Sequence, residues 1–289
     1  MNGKDSEFIH LVECPRDAMQ GWKSFIPTSK KIEYINSLIQ VGFQTIDFGS
    51  FVSAKAVPQM ADTKEVLNGL ILSEKTQLLA IVANLRGAEE ACNFEEIDCI
   101  GYPFSVSETF QLRNANSTPE LSFKTVKAIH DRCLVSGKQL VVYLSMAFGN
   151  PYGDAYSKEI VFDWARKMAD LPIPVLSLAD TVGLATAAQV HEITSHLITL
   201  LPLTEIGVHL HSSPFNRPEK MAAAYNAGCR RFDGALKGIG GCPMAGDNLV
   251  GNMDTEWMIQ WFRERNILPL LNPEALHQSL LIANEIFSR

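Results

Sequence analysis

The chain has 289 residues, of which 46% are hydrophobic and 20% are charged, and this composition is typical of a folded protein with a large apolar core. Its formal net charge of −7, with no run of basic residues, excludes general binding to nucleic acid. No apolar run approaches the ~20 residues that a membrane span requires, and the N-terminus lacks the apolar core of a secretory signal, so we expect a soluble, cytoplasmic protein without a membrane partner.

Short apolar runs rich in β-branched residues alternate with longer segments of helical periodicity along the whole chain. The short runs predict eight strands, in chain order Phe8–Cys14, Thr45–Gly49, Leu78–Ala83, Ile97–Pro103, Gln139–Ser145, Val175–Ala179, Ile206–His211 and Arg231–Leu236. Helices are predicted over 29–40, after Pro58, Pro119, Ser157, Ala187 and Pro218, and in the tail over 253–265 and 273–287. The helix over 29–40 is expected to begin at a Thr28 or Ser29 cap and to end at Gly42.

Eight β/α alternations without a linker or a break in composition favour the α/β class and a single (β/α)₈ TIM barrel. We place the barrel at about 8–265 and a C-terminal helical extension at about 266–289, within one catalytic domain of residues 1–289. An open, doubly wound sheet is the alternative. The prediction of a barrel matters because barrel chemistry sits at the C-terminal ends of the strands.

Six scattered cysteines without a C-x-x-C pair are expected to be reduced. Four of them lie in apolar surroundings or near helix ends, where a small buried side chain is the expected role: Cys92, Cys99, Cys133 and Cys229. Cys14 and Cys242 lie instead at predicted strand ends or loops that carry other polar residues.

His209 and His211 stand at the end of the seventh predicted strand. Because strand side chains alternate with a period of two, both imidazoles point to the same side and can bind one metal ion together. Such a pair is a weak signal by itself, since an isolated pair more often has one packed and one solvated imidazole. Its position among other polar strand ends makes the metal hypothesis stronger.

Polar residues also follow the first two strands. Arg16 and Asp17 come directly after the first, where Asp17 offers an anionic oxygen ligand and Arg16 a fork of donors for a carbonyl or carboxylate. The alternative is a surface ion pair worth only ~0–1 kcal/mol. Asp47 lies near the end of the second strand, where helix capping or a hydrogen bond inside the barrel mouth is the alternative role.

After the eighth strand, three glycines precede Cys242 in the run Gly238-Ile239-Gly240-Gly241-Cys242-Pro243. Such a loop is suited to closing over a ligand and presenting a thiol. A phosphate-binding loop is disfavoured, because Cys242-Pro243 does not continue into a helix.

One carboxylate, two imidazoles and a nearby amide form a mixed set of nitrogen and oxygen ligands. This set suits a divalent cation such as Mg²⁺ or Mn²⁺, with Zn²⁺ as a further candidate. Structural zinc is disfavoured, because structural sites usually use several cysteines and close the coordination shell.

Further motifs complete the pattern, and together they are Pro15-Arg16-Asp17-x-x-Gln20, Ser50-Phe51-Val52-Ser53, Val57-Pro58-Gln59-Met60, Asn84-Leu85-x-Gly87, Ser177-Leu178-x-Asp180-Thr181-x-Gly183 and Gly240-Gly241-Cys242-Pro243. From about His10 to about Glu256, the sequence resembles the 3-hydroxy-3-methylglutaryl-CoA lyase family of the TIM-barrel metallolyase superfamily. The glycine-cysteine motif is specific to the lyases, whereas the Arg-Asp and H-x-H motifs are shared with Claisen-type synthases and aldolases.

The resemblance implies an enzyme that cleaves 3-hydroxy-3-methylglutaryl-CoA, or a close 3-hydroxyacyl-CoA, to acetyl-CoA and acetoacetate. It implies metal ligation by Asp17, His209, His211 and Asn252. It implies that Arg16 holds the thioester oxygen, that Cys242 is the catalytic thiol and that Asp47 or His209 is the general base. It implies substrate contacts from Gln20, Ser50, Asn84 and Thr181, with Lys23 near the CoA phosphates. A homodimer is expected by analogy only.

The sequence departs from the family at positions expected to line the substrate pocket. Asp47 stands where the family usually has the longer Glu, Ala18 replaces Gly, and Met244 replaces an aromatic residue. His211 is followed by Ser212-Ser213-Pro214 rather than by Asp or Asn and Thr. Two alternatives therefore stay open: a metal-dependent aldolase or Claisen-type synthase on a 2-oxo acid, and a non-catalytic acyl-CoA-binding barrel.

Overall fold

The computed structural model describes residues 9–241 and 250–288. Eight parallel strands form a closed barrel, each paired with the next in chain order and the last with the first. The strands are β1 (His10–Glu13), β2 (Thr45–Ser50), β3 (Gln77–Ile81), β4 (Cys99–Ser105), β5 (Gln139–Ser145), β6 (Val175–Ala179), β7 (Glu205–His209) and β8 (Arg231–Gly234).

Helices cover the outside of the barrel and extend beyond it. Within the described residues they are α1 (Pro15–Gln20), α2 (Thr28–Val41), α3 (Thr63–Asn68), α4 (Leu85–Ala91), α5 (Glu108–Ala115), α6 (Pro119–Ser136), α7 (Lys158–Ala169), α8 (Ala187–Leu200), α9 (Arg217–Asn226), α10 (Thr255–Arg263) and α11 (Pro273–Ile286). The predicted TIM barrel with extra C-terminal helices is confirmed. No helix in the described part of the chain is long and apolar enough to span a membrane.

Strand ends differ from the predictions by one or two residues where the chain turns into the next element. β5 and β6 have the predicted bounds, whereas β1 ends at Glu13 because Cys14 and Pro15 begin α1. The predicted start of β1 at Phe8 lies outside the described residues. β2 continues one residue past the predicted end at Gly49, to Ser50.

Three short helices were not predicted, namely α1, α4 and α5, because six to eight residues carry too little periodicity. The predicted Thr28 or Ser29 cap of α2 is wrong. Pro27 occupies the cap position without a side-chain hydrogen bond, and Thr28 Oγ1 donates instead to the Asp62 carboxylate at 2.7 Å. Gly42 ends α2 as expected, in the left-handed conformation with φ +90°.

The barrel interior is divided between apolar and polar side chains. On the side of β3 to β6 a separate apolar cluster forms from Leu79, Ile81, Cys99, Val141, Tyr143 and Val175. On the side of β1, β2 and β8, His10 contacts Thr45 Oγ1 at 2.8 Å and Arg231 Nη1 at 3.1 Å. The main apolar core lies between the strands and the helices around them. The polar side of the interior leads up to the rim that carries the candidate site.

Glu13 is buried on β1 and joins it to the chain beyond β8. Its Oε1 accepts from the Leu236 backbone N–H at 2.8 Å, and its Oε2 accepts from Thr255 Oγ1 at 2.6 Å. Burial raises the pKa of Glu13 to about 8, although both hydrogen bonds oppose the rise. The carboxyl group therefore holds its proton more tightly in the folded protein than in the unfolded chain.

We expect Glu13→Gln to reduce the pH dependence of stability. Because the folded pKa exceeds the unfolded one, Glu13 contributes stability that is present in full below about pH 4.5 and is lost as the pH rises to about 8. The free energy of unfolding of the wild type should fall relative to that of the variant across this range, by at most ~1.4 kcal/mol per pH unit. Urea unfolding at several pH values measures the difference.

Glu219→Gln, on the exposed surface of α9, is the matched control and should follow the wild-type curve. Parallel curves for the wild type and Glu13→Gln would contradict the tight proton binding assigned to Glu13.

Candidate active site

A cavity of about 520 Å³ opens at the C-terminal ends of the strands. Its wall includes eight residues that were predicted from the sequence: Arg16, Asp17, Gln20, Lys23, Ser50, Thr181, His209 and His211. The cavity therefore lies at the face of the barrel where TIM-barrel enzymes carry their active sites.

Asp17, His209 and His211 converge at the base of this cavity. Asp17 lies in the first turn of α1, His209 is the last residue of β7, and His211 follows two residues later. One ligand atom from each lies within 4.8 Å of the others, and the two imidazole centroids are 5.4 Å apart. The three side chains are thus placed to share one cation.

Hydrogen bonds orient both imidazoles in the same way. His209 Nδ1 lies 3.2 Å from Asp233 Oδ2, and His211 Nδ1 lies 2.7 Å from the Val250 carbonyl oxygen. Because both partners are acceptors, Nδ1 carries the proton in each neutral ring and Nε2 keeps the lone pair. This arrangement is common around histidines that bind metal ions.

Asn252, which follows Asp17 by 235 residues in the sequence, adds a fourth group to the cluster. Its Nδ2 donates to Asp17 Oδ2 at 2.6 Å and to the Ile239 carbonyl at 2.9 Å. Its Oδ1 is buried and has no hydrogen-bond partner among the described residues. An orphaned buried oxygen carries a free-energy cost that a cation would remove, so the residues present fit a divalent metal ion.

Burial and neighbouring charges keep Asp17 and His211 in the protonation states that bind a metal ion. Burial alone would raise the pKa of Asp17, but the Arg16 guanidinium, the two imidazoles and the hydrogen bond from Asn252 together lower that pKa to about 2. Burial, with His209 nearby, lowers the pKa of His211 to about 4. At neutral pH, Asp17 is therefore a carboxylate and His211 a neutral imidazole, as metal ligation requires.

Arg16 is the centre of a buried ion-pair network. Its Nε and one N–H of Nη2 donate to Asp47, and the two N–H groups of Nη1 donate to Asp17 and Gln20. The alternative of a surface ion pair is therefore wrong, because the side chains of Arg16 and Asp17 are only 10% and 9% exposed. One N–H of Nη2 is left without an acceptor among the described residues.

Asp47 lies behind Arg16 and is not part of the described cavity wall. Its side chain is 1% exposed, and both oxygens accept from the guanidinium. Burial raises the pKa of Asp47 to about 6, against the opposing charge of Arg16. Asp47 is therefore placed to orient the Arg16 guanidinium.

The glycine-rich segment after β8 passes directly over the cluster. Gly240 has φ +114°, and a Cβ there would lie 2.3 Å from Asn252 Nδ2 and 3.0 Å from Asp17 Oδ2. Only glycine fits this approach, for both conformational and steric reasons. Cys242, predicted as the catalytic thiol, follows two residues later and lies outside the described residues.

The remaining predicted substrate contacts divide into two groups. Gln20, Lys23, Ser50 and Thr181 line the cavity, with Lys23 exposed. Asn84 does not line it, because its Oδ1 accepts from the Gly87 N–H at 3.0 Å and caps α4. Substrate contact by Asn84 stays a prediction that this geometry does not support.

Sequence reasoning missed several residues of the site. Asp233 had a detectable signal, because it follows the helix-ending Gly228 by five residues as Asp47 follows Gly42. Tyr143 and Arg113 also line the cavity but look like ordinary strand and helix residues in the sequence. The Tyr143 ring packs edge-on against His209, with a centroid distance of 5.9 Å, and its hydroxyl has no partner among the described residues.

Cys14 lies below the cluster, where its Sγ is within 4.8 Å of ligand atoms of His209 and Asp233. Burial raises the pKa of the Cys14 thiol well above its ordinary value, with the neighbouring carboxylates adding to the rise. Cys14 is therefore a neutral thiol buried beneath the cluster. The four other cysteines in the described residues are also unpaired and buried, as expected.

Comparisons with known proteins identify the family of this chain. Residues 10–282 match the HMGL-like family. The chain is 32% identical over 254 residues to the mitochondrial hydroxymethylglutaryl-CoA lyase of Mus musculus, covering 87% of this chain and 77% of that protein. It is 31% identical over 261 residues to the hydroxymethylglutaryl-CoA lyase of Bacillus subtilis, covering 88% of this chain and 84% of that protein.

A solved structure shows the same similarity in three dimensions. The HMG-CoA lyase of Acinetobacter baumannii, in complex with coenzyme A and 3-methylmalate, superposes with a TM-score of 0.91 at 32% identity, covering 99% of this chain and 93% of that chain. The closed barrel and its polar rim define a TIM-barrel enzyme. With these relatives, the chain belongs to the HMGL-like family, which confirms the resemblance in its motifs, and it is a carbon–carbon lyase of that family.

We expect Asp233→Asn to lower the pKa of His209 in the metal-free protein. Burial by itself lowers this pKa, but the hydrogen bond and the charge of Asp233, together with the charge of Asp17, raise it above the ordinary value. Removing the charge of Asp233 should therefore lower the pKa of His209. A heteronuclear NMR titration of the imidazole, assigned with a His209→Gln variant, measures the change.

His211 is the internal control, since its pKa should stay low in both proteins. An unchanged pKa for His209 in Asp233→Asn would show that the carboxylate does not control this imidazole.

Proposed function

We propose that this protein is a divalent-metal-dependent lyase that cleaves 3-hydroxy-3-methylglutaryl-CoA, or a close 3-hydroxyacyl-CoA, to acetyl-CoA and acetoacetate. The observation that carries the proposal is the convergence of Asp17, His209 and His211 beside the orphaned amide oxygen of Asn252, at the base of a large cavity. The relative from Acinetobacter baumannii binds coenzyme A and 3-methylmalate in the same fold, which supports this class of substrate.

The four side chains would hold Mg²⁺ or Mn²⁺, and their mixed nitrogen and oxygen atoms also suit Zn²⁺. When bound, such a cation polarises the hydroxyl and carbonyl oxygens of a substrate and lowers the pKa of the hydroxyl. The protein prepares for this by keeping Asp17 ionised and His211 neutral, with the proton of the His211 ring on Nδ1 and the Nε2 lone pair available.

Arg16 is the proposed partner of the thioester oxygen. Three carboxylate and amide groups hold its guanidinium in place, and one N–H of Nη2 is left for a ligand. A fixed donor aimed at an oxygen where negative charge develops stabilises the transition state without reorganisation. In the proposed reaction, that charge develops on the enolate oxygen of acetyl-CoA as the carbon–carbon bond breaks.

The hydroxyl proton needs an acceptor, and the two predicted roles of His209 exclude each other. An imidazole that donates through Nδ1 to Asp233 and binds a cation through Nε2 has no lone pair left for a proton. We therefore assign the proton to Asp47, whose pKa of about 6 suits proton transfer near neutral pH. The proton would pass to Asp47 beside the Arg16 guanidinium, which stays in place between Asp47 and the cavity.

The proposed steps balance without an external oxidant or reductant. Loss of the hydroxyl proton turns the C–O bond into the ketone of acetoacetate, and the electron pair of the broken carbon–carbon bond moves into the acetyl-CoA enolate. The thiol of Cys242 would then protonate the enolate carbon, and the proton taken up by Asp47 would return through solvent to the resulting thiolate. Gly240, which passes over the ligands two residues before Cys242, supports this assignment.

The outer part of the cavity suits a CoA thioester. Lys23 and Arg113 line it and supply local positive charge in a protein whose net charge is −7, and such charge attracts an anionic substrate. Trp22 and Phe25 line the same region with aromatic surface. Gln20, Ser50 and Thr181 are the proposed polar contacts to the acyl portion.

The direct test is incubation of the protein with 3-hydroxy-3-methylglutaryl-CoA and Mg²⁺ or Mn²⁺. We expect equimolar acetoacetate and acetyl-CoA, detected by coupled assay and mass spectrometry, and no product after removal of the metal with a chelator. Turnover that persists at full rate in the chelated protein would disprove the metal dependence. Metal-supported binding of the thioester without products would disprove the lyase activity.

We expect Arg16→Gln to lower kcat by ~10²–10³-fold, the usual effect of losing one donor to a developing oxyanion. Circular dichroism should show an intact fold. Arg166→Gln, on the exposed surface of α7, makes the same chemical change away from the site and should retain wild-type kcat. Near-normal turnover in Arg16→Gln would remove Arg16 from its proposed role.

A further inference from the structure

Lys220 lies in α9 and is almost fully buried, with 1% of its surface exposed. Its Nζ contacts three acceptors: Asp180 Oδ2 at 2.6 Å, the His211 carbonyl at 2.9 Å and the Gly183 carbonyl at 3.2 Å. An ammonium group has three N–H donors, so each of them has a partner. The ammonium group of Lys220 is therefore held by hydrogen bonds, and its aliphatic chain is held by packing.

The two members of this ion pair contact the backbone of both histidines. Lys220 donates to the His211 carbonyl, while the backbone N–H of Asp180 donates to the His209 carbonyl at 2.9 Å. Asp180 is itself held, because its Oδ1 accepts from the Ala185 N–H at 3.0 Å. The pair therefore joins α9 and the loop after β6 to the end of β7, where the two imidazoles begin.

Lys220 is also connected to the His211 ring indirectly, through Gly183 and Val250. It holds the carbonyl of Gly183, a residue with φ +74° whose ideal Cβ would lie 2.9 Å from the Val250 side chain. Val250 in turn accepts from His211 Nδ1 through its carbonyl. Both the backbone of His211 and the acceptor that orients its ring are thus braced by contacts that begin at Lys220.

A buried ion pair is a weak source of net stability, because desolvation of two charges offsets most of their attraction. Its defined geometry has a clearer consequence here, since metal affinity depends on how well the ligands are oriented before the ion arrives. We propose that Lys220 is a positioning residue for His211 and thereby sets the affinity of the site for a divalent cation. The inference rests on the proposed function, in which His209 and His211 are metal ligands.

The test compares Mn²⁺ binding to the full-length, metal-free wild type and to Lys220→Met. Met keeps an unbranched apolar stem but removes all three donors. We expect the dissociation constant for Mn²⁺, measured by isothermal titration calorimetry, to rise by at least ~10-fold, within the 10–100-fold range typical of groups that orient metal ligands. Binding is measured below the unfolding temperature of each protein.

Lys31→Met is the matched control. Lys31 is also 1% exposed, its Nζ lies 2.6 Å from Asp62 Oδ1, and it contacts the Gln59 carbonyl, so the substitution removes the same kind of buried pair. Its contacts do not include the proposed metal ligands. We expect the stability of Lys31→Met to fall while its affinity for Mn²⁺ stays at the wild-type value.

Three results would each overturn the inference about Lys220. Wild-type Mn²⁺ affinity in Lys220→Met would overturn the inference, and so would an equal loss of affinity in Lys31→Met, which would reveal a general effect of lost stability. If Lys220→Met does not fold, the neutral double variant Asp180→Asn/Lys220→Gln replaces it, and its shorter amide should also weaken binding ~10-fold. Wild-type affinity in that double variant would overturn the inference.

Failure of the proposed function has a different signature. In that case the wild type itself binds no Mn²⁺, and His211→Ala leaves its calorimetric trace unchanged. Failure of the Lys220 inference alone leaves wild-type binding and the effect of His211→Ala intact.

Discussion

The pairing of Arg16 with Asp17 and Asp47 is the interaction on which the site depends. Burial alone would raise the pKa of both carboxyl groups, and the Arg16 guanidinium is the largest of the opposing contributions that keep Asp17 ionised at the base of the cavity. The same guanidinium stays buried because the two carboxylates compensate its desolvation. Any ligand that approaches Arg16 therefore meets a group already oriented and charged.

Closure of the barrel brings this network to the histidines. Because β8 pairs with β1, residues at the two ends of the chain become neighbours, and Asn252 contacts Asp17 across 235 positions of sequence. The short helix α1 begins directly after β1 and presents Arg16 towards β2 and Asp17 towards β7. A six-residue helix is enough for this, since its place is set by the strands on either side.

The groups behind the ligands have separate tasks that follow from their chemistry. Asp233 and the Val250 carbonyl select the tautomer of each imidazole, because both accept a hydrogen bond from Nδ1. Lys220 and Asp180 hold the backbone from which those imidazoles project. Two described departures from the family pattern, Ala18 and Asp47, were expected to line the pocket but are not part of the cavity wall, and Asp47 instead holds Arg16. The closed barrel matches the lyase class.

The sequence by itself determined the barrel, the cavity face and the H-x-H pair, because local periodicity decides which side chains leave a strand on the same side. It also indicated Gly42 as the end of α2, since a helix stop is a local event. Only the tertiary structure decided that Asp47 stands behind Arg16, that Asn84 caps a helix and that Lys220 is a buried cation. These roles depend on contacts between distant residues, and local sequence patterns do not encode which partner a polar side chain meets after folding.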